Sequence, residues 1–199
     1  MPDKISFDFS LTEQTSAAAE PEGLLAVRLF EWARSAPHGL IHVARSESRA
    51  TRLARALRGL APRLEVLALL VWDRLPYDRV GPSRQIMGNR VATLRRLSEP
   101  TPAPRLLIIT IDATMQRVPP RRVLSDVSLV LRTGDTVRLD ELETYLRRVG
   151  YAVDERVEEA GEAAIRGEVI DIFPAGADAP ARLHHENNRI VGMRLLRPG

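Results

Sequence analysis

Arg166 is the side chain whose setting most clearly suggests chemistry with a partner. It lies in a run from 164 to 173 that is rich in β-forming residues and is closed by Pro-Ala-Gly, so the run predicts one strand. Acidic residues flank it at positions 154, 155, 158, 159, 162, 168 and 171. Two interpretations stay open. The arginine neutralises its acidic neighbours on a solvated strand, or it is fixed on a rigid strand to bind a partner's carboxylate.

The other reactive residue types do not form an active site. The chain has no cysteine, which excludes disulfides, thiolate catalysis and cysteine-based zinc sites. Lys4 is the only lysine and has no glycine-rich turn near it, which argues against a phosphate-binding P-loop. His184 and His185 are adjacent, so on a strand they face opposite sides, and no histidine pair has the spacing of a helical metal site. We therefore predict a protein that is not an enzyme, with no cofactor and no metal.

A basic band lies along the helix predicted from Ser46 to Leu60. Its members recur every three or four residues, at Arg45, Arg49, Arg52, Arg55 and Arg58. They lie opposite an apolar stripe, which makes Arg49, Arg52 and Arg55 candidate contacts for nucleic-acid phosphates. The simpler interpretation is a solvated helix face in an arginine-rich protein. Few aromatic residues accompany the band, so a base-stacking surface is not expected.

Helices and strands alternate from residue 21 to residue 118. Helices are predicted over 21–36, 46–60, 83–97 and 112–118, with strands over 39–44, 64–71 and 105–110. The continuous apolar run at 64–71 is typical of a strand that is covered on both faces. The pattern as a whole predicts an α/β subdomain with a parallel sheet over 21–118.

The pattern changes after Pro119-Pro120, where neither residue can donate to a helix or a sheet. A strand is predicted over 127–131 and a helix over 138–149. Three strands then follow without an intervening helix, over 151–157, 164–173 and 181–196, the last broken at Asn187-Asn188. Residues 119–199 therefore predict a smaller, antiparallel α+β subdomain.

Length and composition fit a cytoplasmic globular protein. The chain has 199 residues, 44% of them hydrophobic, and a formal net charge of +3. Residues 1–20 are polar and predict a flexible arm, and no apolar run approaches the ~20 residues of a membrane span.

An ordered series of motifs resembles one bacterial family. The series is Trp72-Asp-Arg-Leu-Pro-Tyr-Asp78, Gln85-Ile86, Arg90-Val-Ala-Thr-Leu94, Ala113-Thr-Met-Gln-Arg-Val118, Gly150-Tyr151, Gly161-Glu162 and Arg166-Gly-Glu-Val-Ile-Asp-Ile-Phe-Pro174. In this order and spacing the motifs resemble the N-terminal UvrB-like module of transcription-repair coupling factors (Mfd). The resemblance covers about residues 24–198.

This resemblance implies a degenerate helicase-like α/β subdomain without a P-loop, followed by an α+β subdomain that docks onto UvrA in nucleotide excision repair. It makes Arg166 the main expected UvrA contact, with Ile170 and Phe173 in support. Alternate residues of a strand share a face, so Arg166 and Ile170 are expected to point the same way. For Ile170 and Phe173 the alternative is ordinary core.

The expected function is a non-catalytic interaction module that recruits UvrA. The alternative is an arginine-rich module that binds nucleic acid. Direct DNA binding is expected to be weak, and neither a membrane nor a small-molecule substrate is expected as a partner.

Overall fold

The computed structural model describes residues 21–74, 79 and 81–196. The predicted arm at 1–20 lies outside the described residues, as does part of the motif that begins at Trp72. The described chain forms two sheets, a three-stranded parallel sheet and a five-stranded, mostly antiparallel sheet. This arrangement confirms the predicted α/β fold class with a second, antiparallel unit.

The first sheet has the strand order β1-β3-β2 and carries helices on both faces. Its elements are α1 (Glu22–Ser35), β1 (Leu40–Ala44), α2 (Glu47–Leu60), β2 (Glu65–Leu69), α3 (Arg84–Ser98), β3 (Arg105–Thr110) and α4 (Ile111–Thr114). The core under α1 and α2 is built on alternate strand residues such as Leu106 and Ile108. The intervening residues, Leu107 and Ile109, face α3 on the other side.

Local sequence signals set the ends of α2 correctly. Ser46 is its N-cap, and the Ser46 hydroxyl accepts a hydrogen bond from the Arg49 backbone N–H at 3.3 Å. Leu53 and Leu57 of the apolar stripe are fully buried against the sheet, whereas Leu60 at its end is 51% exposed. This buried stripe fixes the basic band on the outer side of α2.

The second sheet has the order β4-β5-β6-β7-β8 and packs one face against α6. The elements of this part are α5 (Arg121–Asp126), α6 (Leu139–Arg148), β4 (Ala152–Val153), β5 (Glu162–Arg166), β6 (Val169–Phe173), β7 (Ala181–Glu186) and β8 (Arg189–Leu195). The predicted break at Asn187-Asn188 is confirmed, because both residues take positive φ, 48° and 63°, in the β7–β8 turn.

Two strand predictions in this part were wrong. Residues 127–131 form no strand; the short α5 precedes them, and Val127 caps its C-terminal end. The predicted strand over 151–157 is only the two-residue β4, which pairs in parallel with β5. An apolar run alone does not make a strand: Leu129 and Val130 are 48% and 50% exposed, and a strand also needs a neighbour with matching hydrogen-bond register.

The single strand predicted over 164–173 was also wrong, because it is a hairpin. β5 ends at Arg166 and β6 starts at Val169, and Gly167 takes a φ of 56° in the two-residue turn between them. Glycine adopts a positive φ without the steric cost that a side chain adds. As a result Arg166 pairs with Val169, whereas Ile170 pairs with Ile165.

The two parts of the chain approach closely where α3 meets the loop after β6. A Cβ atom on Gly88 would lie 2.2 Å from the carbonyl carbon of Ala175. Gly176 in the same loop has a φ of 95° and lies against the backbone of Gly88 and Asn89. The contact is therefore backbone against backbone, and it depends on the missing side chain at Gly88.

Candidate functional site

The candidate site lies on the face of the five-stranded sheet that does not pack on α6. Strand register places Arg166, Val169, Asp171, Arg182 and Arg194 on that face. We call it the arginine face and define it by these five residues. It carries three guanidinium groups and the Asp171 carboxylate, and the register places the Glu162 carboxylate on the same side of the sheet.

Asp171 holds two of these arginines together. Its side chain accepts hydrogen bonds from Arg182 Nε at 2.7 Å and from Arg182 Nη2 at 2.8 Å, which is a bidentate pair. Arg166 Nη2 donates to the same carboxylate at 3.2 Å. Asp171 is only 4% exposed, so β6 fixes the carboxylate and the carboxylate orients both cations.

The charges on the face favour an anionic partner. The Arg182 hydrogen bonds, with a smaller contribution from Arg166, lower the pKa of Asp171 below its ordinary value, although burial acts to raise it. Asp171 is therefore ionised at neutral pH. The three guanidinium groups still outnumber the carboxylates of Asp171 and Glu162 on this side of the sheet, and this excess of positive charge attracts carboxylates of a partner.

Arg166 combines the two interpretations that its sequence setting left open. It does bond to an internal carboxylate, but its side chain remains 53% exposed and donates one hydrogen bond, from Nη2, to Asp171. A guanidinium has five N–H donors, so Arg166 keeps most of its hydrogen-bonding capacity for a partner. The short β4 pairs only with Glu162 and Ala163, so the Arg166 end of β5 extends beyond the described neighbouring strand.

Arg182 and Arg194 are arginines of this face that the sequence analysis missed, and Arg182 is the one that bonds to Asp171. It lies 11 positions from Asp171 in the sequence, and the β6–β7 register brings the two side by side. The available signal was a strand pattern at 181–186 in which Arg182 and His184 alternate with Leu183. That pattern places Arg182 on the face opposite the core.

The structure corrects the expected role of Ile170. Ile170 is 0% exposed and packs with Leu142 and Leu146 of α6, because the hairpin turns it to the core face. It cannot contact a partner directly. Phe173 is half-buried and pairs with Glu162, which places it on the same side of the sheet as the arginine face. Its exposed part could therefore contact a partner.

His185 stabilises the turn that directly follows Arg166. Its Nε2 lies 2.9 Å from the Gly167 carbonyl oxygen, which can only accept, so Nε2 donates. The His185 backbone N–H donates to the Glu168 carbonyl at 2.9 Å. Both bonds reach the two residues of the β5–β6 turn, so a buried side chain of β7 holds the hairpin in place.

A mostly apolar groove of about 520 Å³ opens between α3, residues 127–131 and the α6 side of the second sheet. Met87 and Met193 reach it and are partly exposed. The Tyr145 hydroxyl is buried beside it with no hydrogen-bond partner among the described residues. Its apolar lining suits packing more than catalysis.

The basic band on α2 is partly engaged within the chain. Arg52 bonds to the Glu22 carboxylate of α1 at 2.7 Å and to the Ser48 hydroxyl. Arg58 donates to the Val66 carbonyl. Arg55 is exposed. Of the three candidate phosphate contacts, Arg52 would have to exchange an existing ion pair for a phosphate.

The described part of the chain carries neither a metal cluster nor a membrane span. No group of three or more histidine and carboxylate side chains there is arranged to hold a metal ion. No helix there has both the length and the apolar character needed to cross a membrane.

Comparison with known proteins gives consistent results. The UvrB interaction domain family matches residues 129–199, the part that carries the arginine face. The transcription-repair-coupling factor of Escherichia coli is 37% identical over 131 residues, covering 66% of this chain and 11% of that protein. Its counterpart in Haemophilus influenzae is 32% identical over 147 residues, or 74% of this chain and 13% of that protein. The Mycobacterium bovis protein is 30% identical over 170 residues.

The chain is a relative of the bacterial transcription-repair-coupling factors. It spans only about 11–13% of the length of these coupling factors. The region it shares with them includes an interaction domain, which places it among proteins of DNA repair and accords with a non-catalytic role for this segment.

Proposed function

We propose that the chain is a docking module of nucleotide excision repair that works in the cytoplasm and recruits UvrA. The arginine face would be the docking surface. Arg166 and Arg182 would donate charge-assisted hydrogen bonds to carboxylates of UvrA, while Phe173 would add an apolar contact on the same side of the sheet. The module would do no chemistry itself and would need no cofactor.

The observation that carries this proposal is the Asp171 cluster. A buried carboxylate holds Arg166 and Arg182 on a rigid strand pair, yet leaves the Arg166 side chain 53% exposed. Charged groups that are held in place before binding lose little freedom on binding. The match to a UvrB interaction domain over 129–199 supports a protein partner in this pathway.

The test is a calorimetric titration of the chain against purified UvrA. Arg166→Ala should weaken binding roughly tenfold or more, because a carboxylate of UvrA would be left in the interface without the guanidinium that it pairs with. Arg147→Ala is the matched control: Arg147 is 57% exposed and paired with Glu143, but it lies on α6, across the sheet from the arginine face. Circular dichroism checks that both variants are folded.

The proposal fails if folded Arg166→Ala binds UvrA as tightly as the wild-type chain, or if Arg147→Ala weakens binding equally. A parallel titration with a short DNA duplex tests the alternative function. Binding through the basic band should weaken steeply with added salt and should be reduced by Arg55→Ala. Absence of binding at low salt would remove that alternative.

A further inference from the structure

β8 is an edge of the five-stranded sheet, and only its first part is covered. Its one neighbouring strand in the described chain is β7. On the other side, the Ile190 N–H donates to the Asp135 carbonyl at 2.9 Å, and the Ile190 carbonyl accepts from the Gly134 N–H at 2.7 Å. Residues 134–135 therefore close the edge beside Ile190, and no described element continues this cover along the rest of β8.

The backbone groups of Met193 and Leu195 face this open edge. The Leu196 N–H donates to the Pro180 carbonyl at 2.7 Å, which continues the pairing of β8 with β7. In an antiparallel pair, backbone groups point alternately to the partner strand and away from it, so those of Met193 and Leu195 point away from β7. An edge with such free donors and acceptors can bind a further strand.

The side chains along this edge are apolar on one face. Met193 and Leu195 share the face of Leu183, which packs against α6, yet they are 44% and 75% exposed. Met193 also lines the groove of about 520 Å³, together with Met87 and Leu129. Alternate side chains of a strand added beside β8 would enter this groove. Methionine adapts its shape to different apolar side chains, which suits a groove that receives a peptide.

The other face of the edge is basic. Arg194 is exposed, shares the arginine face with Arg182, and has no ion pair or hydrogen bond with another described side chain. Acidic side chains of an added strand would lie beside Arg194 and pair with it. A second copy of β8 is a poorer match, because antiparallel pairing through Met193 and Leu195 would put the two Arg194 side chains directly opposite each other.

We propose that the β8 edge at residues 193–195 binds an extended segment of a partner protein in which apolar residues alternate with Asp or Glu. The segment would add a sixth strand to the sheet, with its apolar side chains in the groove and its carboxylates beside Arg194. This edge is separate from the UvrA contact proposed for Arg166, because β6 and β7 lie between β5 and β8.

Titration of the full chain with a synthetic peptide tests this edge. The probe is fluorescein-labelled Val-Glu-Leu-Asp-Val-Glu, followed by fluorescence anisotropy as the chain is added up to about 1 mM. The matched control peptide carries an N-methylated leucine, which keeps the charges and side chains but removes the central N–H donor. It should bind at least about tenfold more weakly, because an added strand pairs through its backbone. At saturating probe, amide exchange of Met193 and Leu195 should slow about tenfold, whereas the Arg194 amide faces β7 and should not change.

Variants of the chain test which residues hold the peptide. Arg194→Glu should weaken binding of the probe about tenfold, because the carboxylates of the probe then meet a like charge. Arg156→Glu makes the same charge change in an exposed loop after β4, at the other end of the sheet, and should bind the probe like wild type. Arg166→Ala should also bind the probe like wild type, and circular dichroism checks that all three variants are folded.

The proposal is overturned if the probe does not bind by about 1 mM, or if the N-methylated peptide binds as tightly as the probe. Equal loss of binding in Arg194→Glu and Arg156→Glu would show general charge attraction and overturn it too. So would a loss in Arg166→Ala, which would put the peptide on the arginine face. It is also overturned if light scattering shows a dimer and protection of Met193 and Leu195 rises with protein concentration in the absence of peptide, since a second copy would then occupy the edge.

Discussion

Replacement of Asp171 tests whether the arginine face is held from within. Asp171 accepts three charge-assisted hydrogen bonds, at 2.7, 2.8 and 3.2 Å, from a position that is 4% exposed. Breaking a buried pair costs about 3–5 kcal/mol when the remaining charge stays buried. Here Arg182 and Arg166 are 29% and 53% exposed and can rehydrate, so the loss should be smaller. We expect Asp171→Ala to lower the free energy of unfolding by about 2–3 kcal/mol.

For a chain of this size that loss corresponds to a drop in melting temperature of roughly 5–10 °C. Thermal unfolding followed by circular dichroism, together with urea titration, measures both quantities. Asp140→Ala is the matched control, because Asp140 also accepts from an arginine, Arg138 at 2.8 Å, but its side chain is 67% exposed. The reasoning is refuted if Asp171→Ala has the same melting temperature as the wild-type chain. It is also refuted if Asp140→Ala lowers the free energy of unfolding as much as Asp171→Ala does.

Three further predictions follow from the same contacts. The pKa of Asp171 is lower in the folded chain than in the unfolded chain, so ionised Asp171 stabilises the fold above the ordinary value of 3.8 and this stabilisation is lost as pH falls through the folded pKa. In Asp171→Asn, the free energy of unfolding should therefore fall less as the pH is lowered through this range. Gly88→Ala should cost about 1–3 kcal/mol because the new methyl meets the loop after β6, whereas Gly59→Ala, with open space in α2, should be neutral or stabilising in urea titrations. His185→Phe should cost about 1 kcal/mol and speed amide exchange in the β5–β6 turn, and His184→Phe, on the opposite face, should do neither.

Features set by short stretches of sequence were predicted well. The helix cap at Ser46 and the turn at Asn187-Asn188 depend on neighbouring residues, and the structure confirms both. It also confirms the strand at 105–110, whose apolar run is buried between two neighbouring strands. The ordered motifs identified the family for the same reason, since they are read directly along the chain. Arg166 also emerged at this level, from its strand setting, and its role as a UvrA contact stays a prediction.

The composition of the arginine face could not be read from the sequence in the same way. Whether Arg166-Gly167-Glu168 continues a strand or turns back depends on which strands the residues on either side of it can pair with, and here they pair with each other. Once the chain turns, Ile170 moves to the core and Asp171 moves beside Arg166. A shift of one position in register would exchange the two faces.

The sequence by itself determined the alternation of helices and strands over the first part of the chain and the absence of thiol chemistry, because each of these rests on residue type and local period. Only the tertiary structure decided that Arg182 shares Asp171 with Arg166 and that Ile170 is core. Those facts come from strand pairing between distant residues, where packing selects one register among several that local preference allows.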